Sequence, residues 1–306
     1  MQSKKLNPKP KPEIPQPLHE WSFEAIGTQW WVGLFESVSP ETLGLVKHVI
    51  SERIEVFDKT YSRFRADSLI TEISKHSGTF TFPPNSKQLF EFCRELYDVS
   101  GGVVTPLIGQ LMSDAGYDAS YSLRSGKLHE PPSWDDVMEF DGQSLKTKQP
   151  VLLDFGAAGK GYLVDLVAIE LQKAGVEKFC VDASGDMYCH GIDSPLRIGL
   201  ENPDDTSQVS GVAEFKDGAL CGSAGNRRAW GEFTHIIDPK KLESPRHIKA
   251  VWVSTNNALT ADGLTTALYF AELEQLHTKF QFEHCIMYAD GSVSVSQHFP
   301  AELFTA

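Results

Sequence analysis

Hydrophobic residues recur along this chain in two periods, one typical of strands and one typical of helices. Residues 21–35 are rich in aromatic and β-branched side chains and are interrupted at Gly27, which predicts two strands. Apolar residues follow helical spacing over 41–57 and 86–97, which predicts two amphipathic helices. Two more helices are predicted over 162–174, where Gly175 ends the pattern, and over 262–273.

Short apolar runs between these helices predict further strands, over 151–155, 179–182, 196–200, 250–254, 284–288 and 292–296. Strands and helices are mixed along the chain, without an internal repeat or an interior linker. The pattern therefore predicts an α+β (mixed α/β) fold over 18–306, a compact single domain or two closely joined lobes. Residues 1–17 read MQSKKLNPKPKPEIPQP, a basic and proline-rich stretch that predicts a flexible leader.

The amino-acid composition indicates a globular protein and disfavours some classes of partner. Of the 306 residues, 41% are hydrophobic and 23% are charged, as is usual for globular proteins. The net charge of −13 repels phosphate backbones and anionic lipids, which disfavours nucleic acid as a partner. An anionic ligand such as a dinucleotide would need a local pocket of backbone N–H groups, a lysine or a metal ion.

The cysteines and the N-terminal residues bear on the compartment. The five cysteines form no CxxC pair, which argues against a zinc site and against a dense disulfide framework, and their odd number fits a reducing compartment. We see no signal peptide, lipid-attachment cysteine or transmembrane helix and expect a cytoplasmic protein. A periplasmic or membrane-anchored protein from which an export segment was trimmed is the alternative.

The segment 151–175 reads as strand, glycine-rich loop and helix. Its loop, GAAGKG at 156–161, offers free N–H groups at a helix start, where phosphates commonly bind. Lys160 stands where it could meet a phosphate. The loop matches neither the P-loop nor the GxGxxG dinucleotide motif, and a tight turn with a solvated Lys160 explains it equally well.

Two further segments carry candidate chemistry. Asp262 and Thr266 lie four residues apart on a predicted helix and so share one face, where their oxygens could bind Mg²⁺; otherwise Asp262 simply favours the helix N-terminus. His235, in FTHIIDPK, could transfer a proton or contact a phosphate, whereas Asp238 orders a turn. Arg227 and Arg228 could contact phosphate, or they could be exposed surface residues without a binding role.

Taken in order, seven segments resemble the ApbE-like family of FAD:protein FMN transferases. The resemblance covers the chain from about Trp21 onward, in the segments AIGTQWWV, YSRFRADS, GGVVTPLIGQL, LLDFGAAGKGYLVD, VDASGDMYCHG, CGSAGN with FTHIIDP, and TADGLTTALYF. It implies a Mg²⁺-dependent enzyme that splits FAD, its substrate, and releases AMP. The FMN half would be joined through a phosphoester to a Thr or Ser hydroxyl of an acceptor flavoprotein.

The resemblance also implies roles for individual residues. Mg²⁺ would be held by the Asp262 carboxylate, the Thr266 hydroxyl and the Ala157 carbonyl, and His235 and Asp262 would be catalytic. The implied FAD-binding residues are Ile26, Phe64, Ala115, Gly116, Tyr117, Asp154, Lys160 and Ile236.

Four segments depart from the family pattern, and two other functions stay open. Ala157-Ala158-Gly159 replaces the usual Gly-Ile-Ala, Ser184 replaces the first glycine of Gly-Gly-Asp, and VVTP at 103–106 replaces an FDPT-like stretch. Ala115-Gly116-Tyr117 replaces Trp-Gly-Phe and so lacks a tryptophan expected near the adenine. The same metal site would serve a Mg²⁺-dependent FAD pyrophosphatase that yields FMN and AMP. A non-catalytic FAD-binding protein is the other alternative.

Overall fold

The computed structural model describes residues 15–304, which contain eight α-helices and sixteen β-strands. The helices are α1 (Pro40–Tyr61), α2 (Leu69–Ile73), α3 (Ser86–Val99), α4 (Gly109–Asp114), α5 (Trp134–Val137), α6 (Gly159–Lys173), α7 (Ala258–Ala267) and α8 (Leu273–His277). The strands are β1 (His19–Ala25), β2 (Thr28–Leu34), β3 (Gly78–Thr81), β4 (Met138–Phe140), β5 (Ser144–Thr147), β6 (Phe179–Asp182), β7 (Asp186–His190), β8 (Leu196–Asn202), β9 (Asp205–Phe215), β10 (Gly218–Ala224), β11 (Ala229–Trp230), β12 (Phe233–Thr234), β13 (Ile248–Thr255), β14 (Glu283–Tyr288), β15 (Val293–Val295) and β16 (Ala301–Leu303).

An eight-stranded sheet in the order β1-β2-β6-β7-β10-β13-β14-β15 forms the centre of the molecule. All its neighbouring strands are antiparallel. The interruption at Gly27 is a two-residue hairpin turn, in which Ile26 and Gly27 both have positive φ (47° and 74°). The mixed α/β fold predicted from the hydrophobic pattern is confirmed.

Both faces of the central sheet are covered, which explains why an inner strand such as β6 carries apolar side chains on both of its faces. On β6, Phe179 and Val181 pack into a large core with α1, α3, α6 and α7, whereas Cys180 points to the opposite face. On that face a second core forms beneath the small sheet β16-β9-β8, with Leu200 and Phe215 among its members. Alternating side chains thus join three layers: helices, central sheet and small sheet.

Three predicted elements differ clearly from the structure: one predicted strand is absent, and two predicted helices begin or end at other residues. Residues 151–155 are not a strand: Val151 N–H donates to the Ile73 carbonyl at 3.4 Å and Asp154 N–H to the Pro106 carbonyl at 2.7 Å, so the segment bonds to the end of α2 and to a short 3-10 helix instead of to another strand. The helix predicted over 162–174 begins three residues earlier, at Gly159. The helix predicted over 262–273 begins at Ala258, because Asn257 caps it, and ends at Ala267.

The leader predicted over 1–17 lies outside the described residues except for 15–17, which are in no helix or strand. It stays a prediction. Within 15–304, none of the helices is both long enough and apolar enough to cross a membrane.

Candidate active site

A branched cleft opens around the first turn of α6. Its three arms have volumes of about 520, 340 and 100 Å³, and Gly156 and Arg228 line all of them. The largest, which we call the polar arm, includes Asp182, Gly185, Ile198–Glu201, Arg227 and Trp252. The aromatic arm includes Ile26, Phe57, Phe64, Tyr117 and Tyr121, and the apolar arm includes Val103, Val104, Ile108, Ile236, Ile237 and Phe270.

Helices α6 and α7 meet at the centre of this cleft without an intervening side chain. A Cβ atom at Gly161 would overlap the Ala258 carbonyl oxygen, so only glycine permits this contact. The Gly161 N–H donates to Asp262 Oδ2 at 2.9 Å. In return, Asp165 of α6 accepts hydrogen bonds from the first N–H groups of α7, those of Ala258 (2.8 Å) and Leu259 (2.9 Å). These reciprocal contacts fix the position of Asp262 relative to the glycine loop.

Asp262, Thr266 and Ala157 present three oxygen groups to one region. The Thr266 hydroxyl donates to the Ala157 carbonyl at 3.5 Å, and Asp262 lies one helical turn before Thr266. Asp262 is mid-helix and 5% exposed, so it is not a capping residue of α7. Burial, and then repulsion from Asp186, raises the pKa of the Asp262 carboxyl well above its ordinary value, so a nearby cation would be favoured electrostatically.

These three oxygen groups are of the type that Mg²⁺ binds, but they are too few to complete its coordination shell. A carboxylate, a hydroxyl and a carbonyl are all hard oxygen ligands, whereas Mg²⁺ takes six. Among residues 15–304 no group of three or more His, Cys, Asp or Glu side chains is arranged to hold a metal. A magnesium ion here would therefore complete its coordination with phosphate oxygens and water, as Mg²⁺ commonly does at phosphate sites.

Lys160 extends from the first turn of α6 to a buried carboxylate. Its ammonium forms an ion pair with Asp186, which begins β7 and is fully buried. Burial alone would lower the pKa of Lys160, but the carboxylates of Asp186 and Asp262 outweigh it and raise the pKa above the ordinary value. Lys160 is therefore a fixed cation beside the oxygen trio, and the interpretation of a solvated lysine in a simple turn is wrong.

His235 follows β12 and lines both the polar arm and the apolar arm. Its backbone N–H donates to the Arg228 carbonyl at 3.0 Å, while its buried Nδ1 has no hydrogen-bond partner in the described part of the chain. Burial, with the charges of Arg228 and Lys160, lowers the pKa of His235 to about 4. The imidazole is therefore neutral at pH 7 and able to accept a proton. Asp238 orders the following turn, as predicted, by accepting from the N–H groups of Lys240 and Lys241.

The aromatic arm brings together flat side chains and one arginine. The rings of Phe64 and Tyr121 are stacked with centroids 5.1 Å apart, and Tyr117 meets Phe64 edge-on at 5.4 Å. Arg63 lies against both Phe64 and Tyr117, pairs with Asp154 and donates to the Tyr117 carbonyl at 2.6 Å. Asp154 also accepts from Gly156 N–H at 2.6 Å, so it organises the loop as well as lining the cleft.

Two predicted binding residues lie behind the cleft surface. Ala115 is fully buried, and its carbonyl accepts the indole N–H of Trp230 at 2.7 Å. Trp230 in turn stacks on Tyr117 at 5.4 Å, so an aromatic ring does lie beside the position where the family tryptophan is absent. Ala115 and Gly116 support Tyr117 from behind, and their contact with FAD stays a prediction.

Two residues to which the sequence motifs gave no role, Asp186 and Arg63, belong to this site, as does Arg228, whose role the motifs left open. Asp186 and Arg63 occur in segments that resemble the family, yet their partners, Lys160 and Asp154, are 26 and 91 positions away. Arg228 donates to the Tyr117 hydroxyl at 2.9 Å, so it is part of the cleft wall and not an isolated surface residue. Arg227 pairs with Glu201 of β8 at the rim of the polar arm.

The fold is that of solved flavin transferases. The chain superposes on the structure titled flavin transferase ApbE from Vibrio cholerae with a TM-score of 0.77 at 21% identity, over 92% of this chain and 97% of that one. For the ApbE protein from Thermotoga maritima the TM-score is 0.78 at 20% identity, over 93% and 99% of the two chains.

The sequence comparisons identify the family. The model described as "ApbE family" matches residues 26–285, and the chain belongs to this family. A Rhodobacter capsulatus protein named FAD:protein FMN transferase is 27% identical over 209 residues, which are 63% of this chain and 40% of that protein. The Vibrio cholerae serotype O1 protein of the same name is 26% identical over 238 residues, 72% of this chain and 71% of that one. The family resemblance inferred from the seven segments is confirmed.

Proposed function

We propose that this chain is a Mg²⁺-dependent FAD:protein FMN transferase. The observation that supports this most directly is the meeting of Asp262, Thr266, the Ala157 carbonyl and Lys160 at the junction of three cleft arms. The reaction would join FMN through a phosphoester to a Thr or Ser hydroxyl of an acceptor flavoprotein and release AMP. Two curated relatives are named FAD:protein FMN transferase, which supports the class of reaction.

Each reactant can be assigned to the arm of the cleft whose lining suits its chemistry. FAD has two ring systems joined by a pyrophosphate, and two of the arms are lined mainly by aromatic and apolar residues. We assign the rings of FAD to these arms and the pyrophosphate to the junction between them. The polar arm then remains for the acceptor segment, whose hydroxyl would reach the FMN phosphorus from that side.

The residues at the junction would hold positive charge beside the pyrophosphate and stabilise the negative charge that develops there during the reaction. Asp262, Thr266 and Ala157 would hold Mg²⁺, which when bound supplies a Lewis acid for the pyrophosphate oxygens. Lys160, kept charged by Asp186, would stabilise the negative charge that grows on the leaving AMP. His235, which lines the polar arm, would accept the proton of the attacking hydroxyl.

The residues around the junction would place the FAD. Asp154 would act through the loop it organises, with Ile26, Phe64, Tyr117 and Ile236 against the rings.

The test is an assay of the purified protein with FAD and Mg²⁺, with and without an acceptor flavoprotein that carries a candidate threonine. We expect a fluorescent acceptor band on a denaturing gel, formed together with AMP and lost when EDTA removes Mg²⁺. Mutation of the acceptor threonine to valine should abolish the band. Release of FMN and AMP without any acceptor would support the pyrophosphatase instead, and bound FAD without turnover would support a binding protein.

A further inference from the structure

The two cysteines of the β6–β7 hairpin face one another. Cys180 on β6 and Cys189 on β7 are directly paired across the antiparallel ladder, nine positions apart in sequence, with Sγ atoms 2.7 Å apart. Directly opposed residues of an antiparallel pair have Cα atoms about 4.5–5.5 Å apart, inside the range of about 4.4–6.8 Å that a disulfide needs. Both side chains point into the core beneath the small sheet.

The other three cysteines have no such partner. Cys221 on β10 is opposite Asp186 and Val253, and Cys285 on β14 is opposite Trp252 and Val295. Cys93 lies on α3. All five are free thiols in this structure. The pairing register therefore selects one pair among the five cysteines.

We propose that Cys180 and Cys189 form a cross-strand disulfide when the chain meets a disulfide oxidant such as oxidised glutathione. One thiol attacks the oxidant to give a mixed disulfide and one glutathione thiol, and the second thiol then displaces the other glutathione. The two cysteines lose two electrons and two protons in total, and one glutathione disulfide becomes two thiols. No backbone rearrangement is required, since the register already opposes the two residues.

The bond would restrain the hairpin that carries Asp186, the partner of Lys160 at the charged junction where the arms of the cleft meet. The turn between β6 and β7 contains Asp182, whose Oδ1 accepts the Gly185 N–H at 2.7 Å, and leads to Asp186, the partner of Lys160. A link at Cys180–Cys189 therefore closes the base of the hairpin whose tip lies in the cleft. Both thiols are fully buried, so an oxidant reaches them fastest during folding and only slowly in the native protein.

The experiment is oxidative refolding followed by thiol alkylation and peptide mass spectrometry. We expect two of the five thiols to resist alkylation after refolding with oxidised glutathione. The peptide 179–197, bounded by Lys178 and Arg197, should contain both and lack the mass of two hydrogen atoms. In reducing buffer all five should alkylate once unfolded. Oxidised protein should melt about 5 °C above reduced protein.

Matched variants locate the bond. Cys189→Ala should leave every remaining thiol reactive after the same refolding, whereas Cys221→Ala, equally buried on β10, should still lose two. Complete alkylation of the refolded wild type, or a disulfide that maps outside peptide 179–197, would overturn the proposal. The mapping of the wild-type peptide decides the question even if a variant does not fold.

Discussion

Two parts of the cleft, the charged junction where its arms meet and the aromatic arm, are built in different ways. At the charged junction the two carboxylates are buried: Asp186 is 0% and Asp262 is 5% exposed, and helices α6 and α7 touch through backbone atoms. At the aromatic arm Tyr121 is 52% exposed, and the rings contact one another edge-on or stacked. Charges interact strongly only where water is excluded and positions are fixed, while flat rings bind through contact area and tolerate small shifts.

Residues with positive φ occur on two sides of the cleft. Ile26 and Tyr121 (47° and 51°) line the aromatic arm, and Ser184 (56°) lines the polar arm two residues before Asp186. Non-glycine residues rarely occupy this region of φ, and such turns concentrate at ligand sites. The contact between α6 and α7 at the charged junction is instead made by regular helices.

The largest effect is expected from Asp262. Asp262→Ala removes the carboxylate from the oxygen trio and also leaves the buried Gly161 N–H without an acceptor. Asp262→Asn keeps that acceptor and removes only the charge. We expect both to lower Mg²⁺-dependent FAD turnover by about a thousandfold, as the loss of several kcal/mol of charge stabilisation requires. Near-normal turnover in Asp262→Asn would remove this residue from the metal site, and thermal unfolding of that variant controls for folding.

Gly161 tests whether the junction is as rigid as its packing indicates. In Gly161→Ala the new Cβ meets the Ala258 carbonyl, which belongs to the backbone of α7 and has no room to move aside. Overpacking of this kind should lower the free energy of unfolding by about 3 kcal/mol, measured by urea denaturation.

The exposed helix position Gly44 is the matched control for Gly161. A Cβ there meets no atom within 4 Å, and Gly44→Ala should raise stability by about 0.5–1 kcal/mol. Equal effects at the two glycines would mean that α6 and α7 can separate freely.

Phe64 tests the aromatic arm, which we expect to tolerate small shifts. Phe64→Leu keeps an apolar side chain and removes the ring that stacks on Tyr121. Because an aromatic contact contributes about 0.5–1.5 kcal/mol, we expect FAD affinity to fall by up to about tenfold, with little change in turnover at saturating FAD. Flavin fluorescence titration gives the affinity. Phe304→Leu, exposed at the end of β16, is the control, and a large fall in turnover for Phe64→Leu would show that this arm does more than bind a ring.

The sequence predicted this division only in part, and the reason is the range over which each contact acts. Local spacing predicted the helix that carries Thr266 and the turn at Gly27, since both depend on neighbouring residues. It missed the pairing of Lys160 with Asp186, because that contact exists only once β6 and β7 lie beside α6. Residues 151–155 have the composition of a strand but pair with no other strand. Their backbone N–H groups donate instead to carbonyls at the end of α2 and at a short 3-10 helix.

The last prediction uses pH to distinguish the buried junction from the exposed surface. The pKa of His235 is about 4 in the native protein and about 6.5 unfolded, so only the unfolded chain binds this proton at intermediate pH. The contribution of His235 to stability is fully present above pH 6.5 and is lost as pH falls from 6.5 towards 4, by on the order of 2–3 kcal/mol. Urea denaturation between these limits should show a shallower loss for His235→Asn than for wild type. His48→Asn, on the exposed surface of α1, controls for the loss of a histidine as such. Parallel curves for wild type and His235→Asn would mean that His235 is hydrated like a surface residue, and the junction would then lack the dry environment on which the comparison rests.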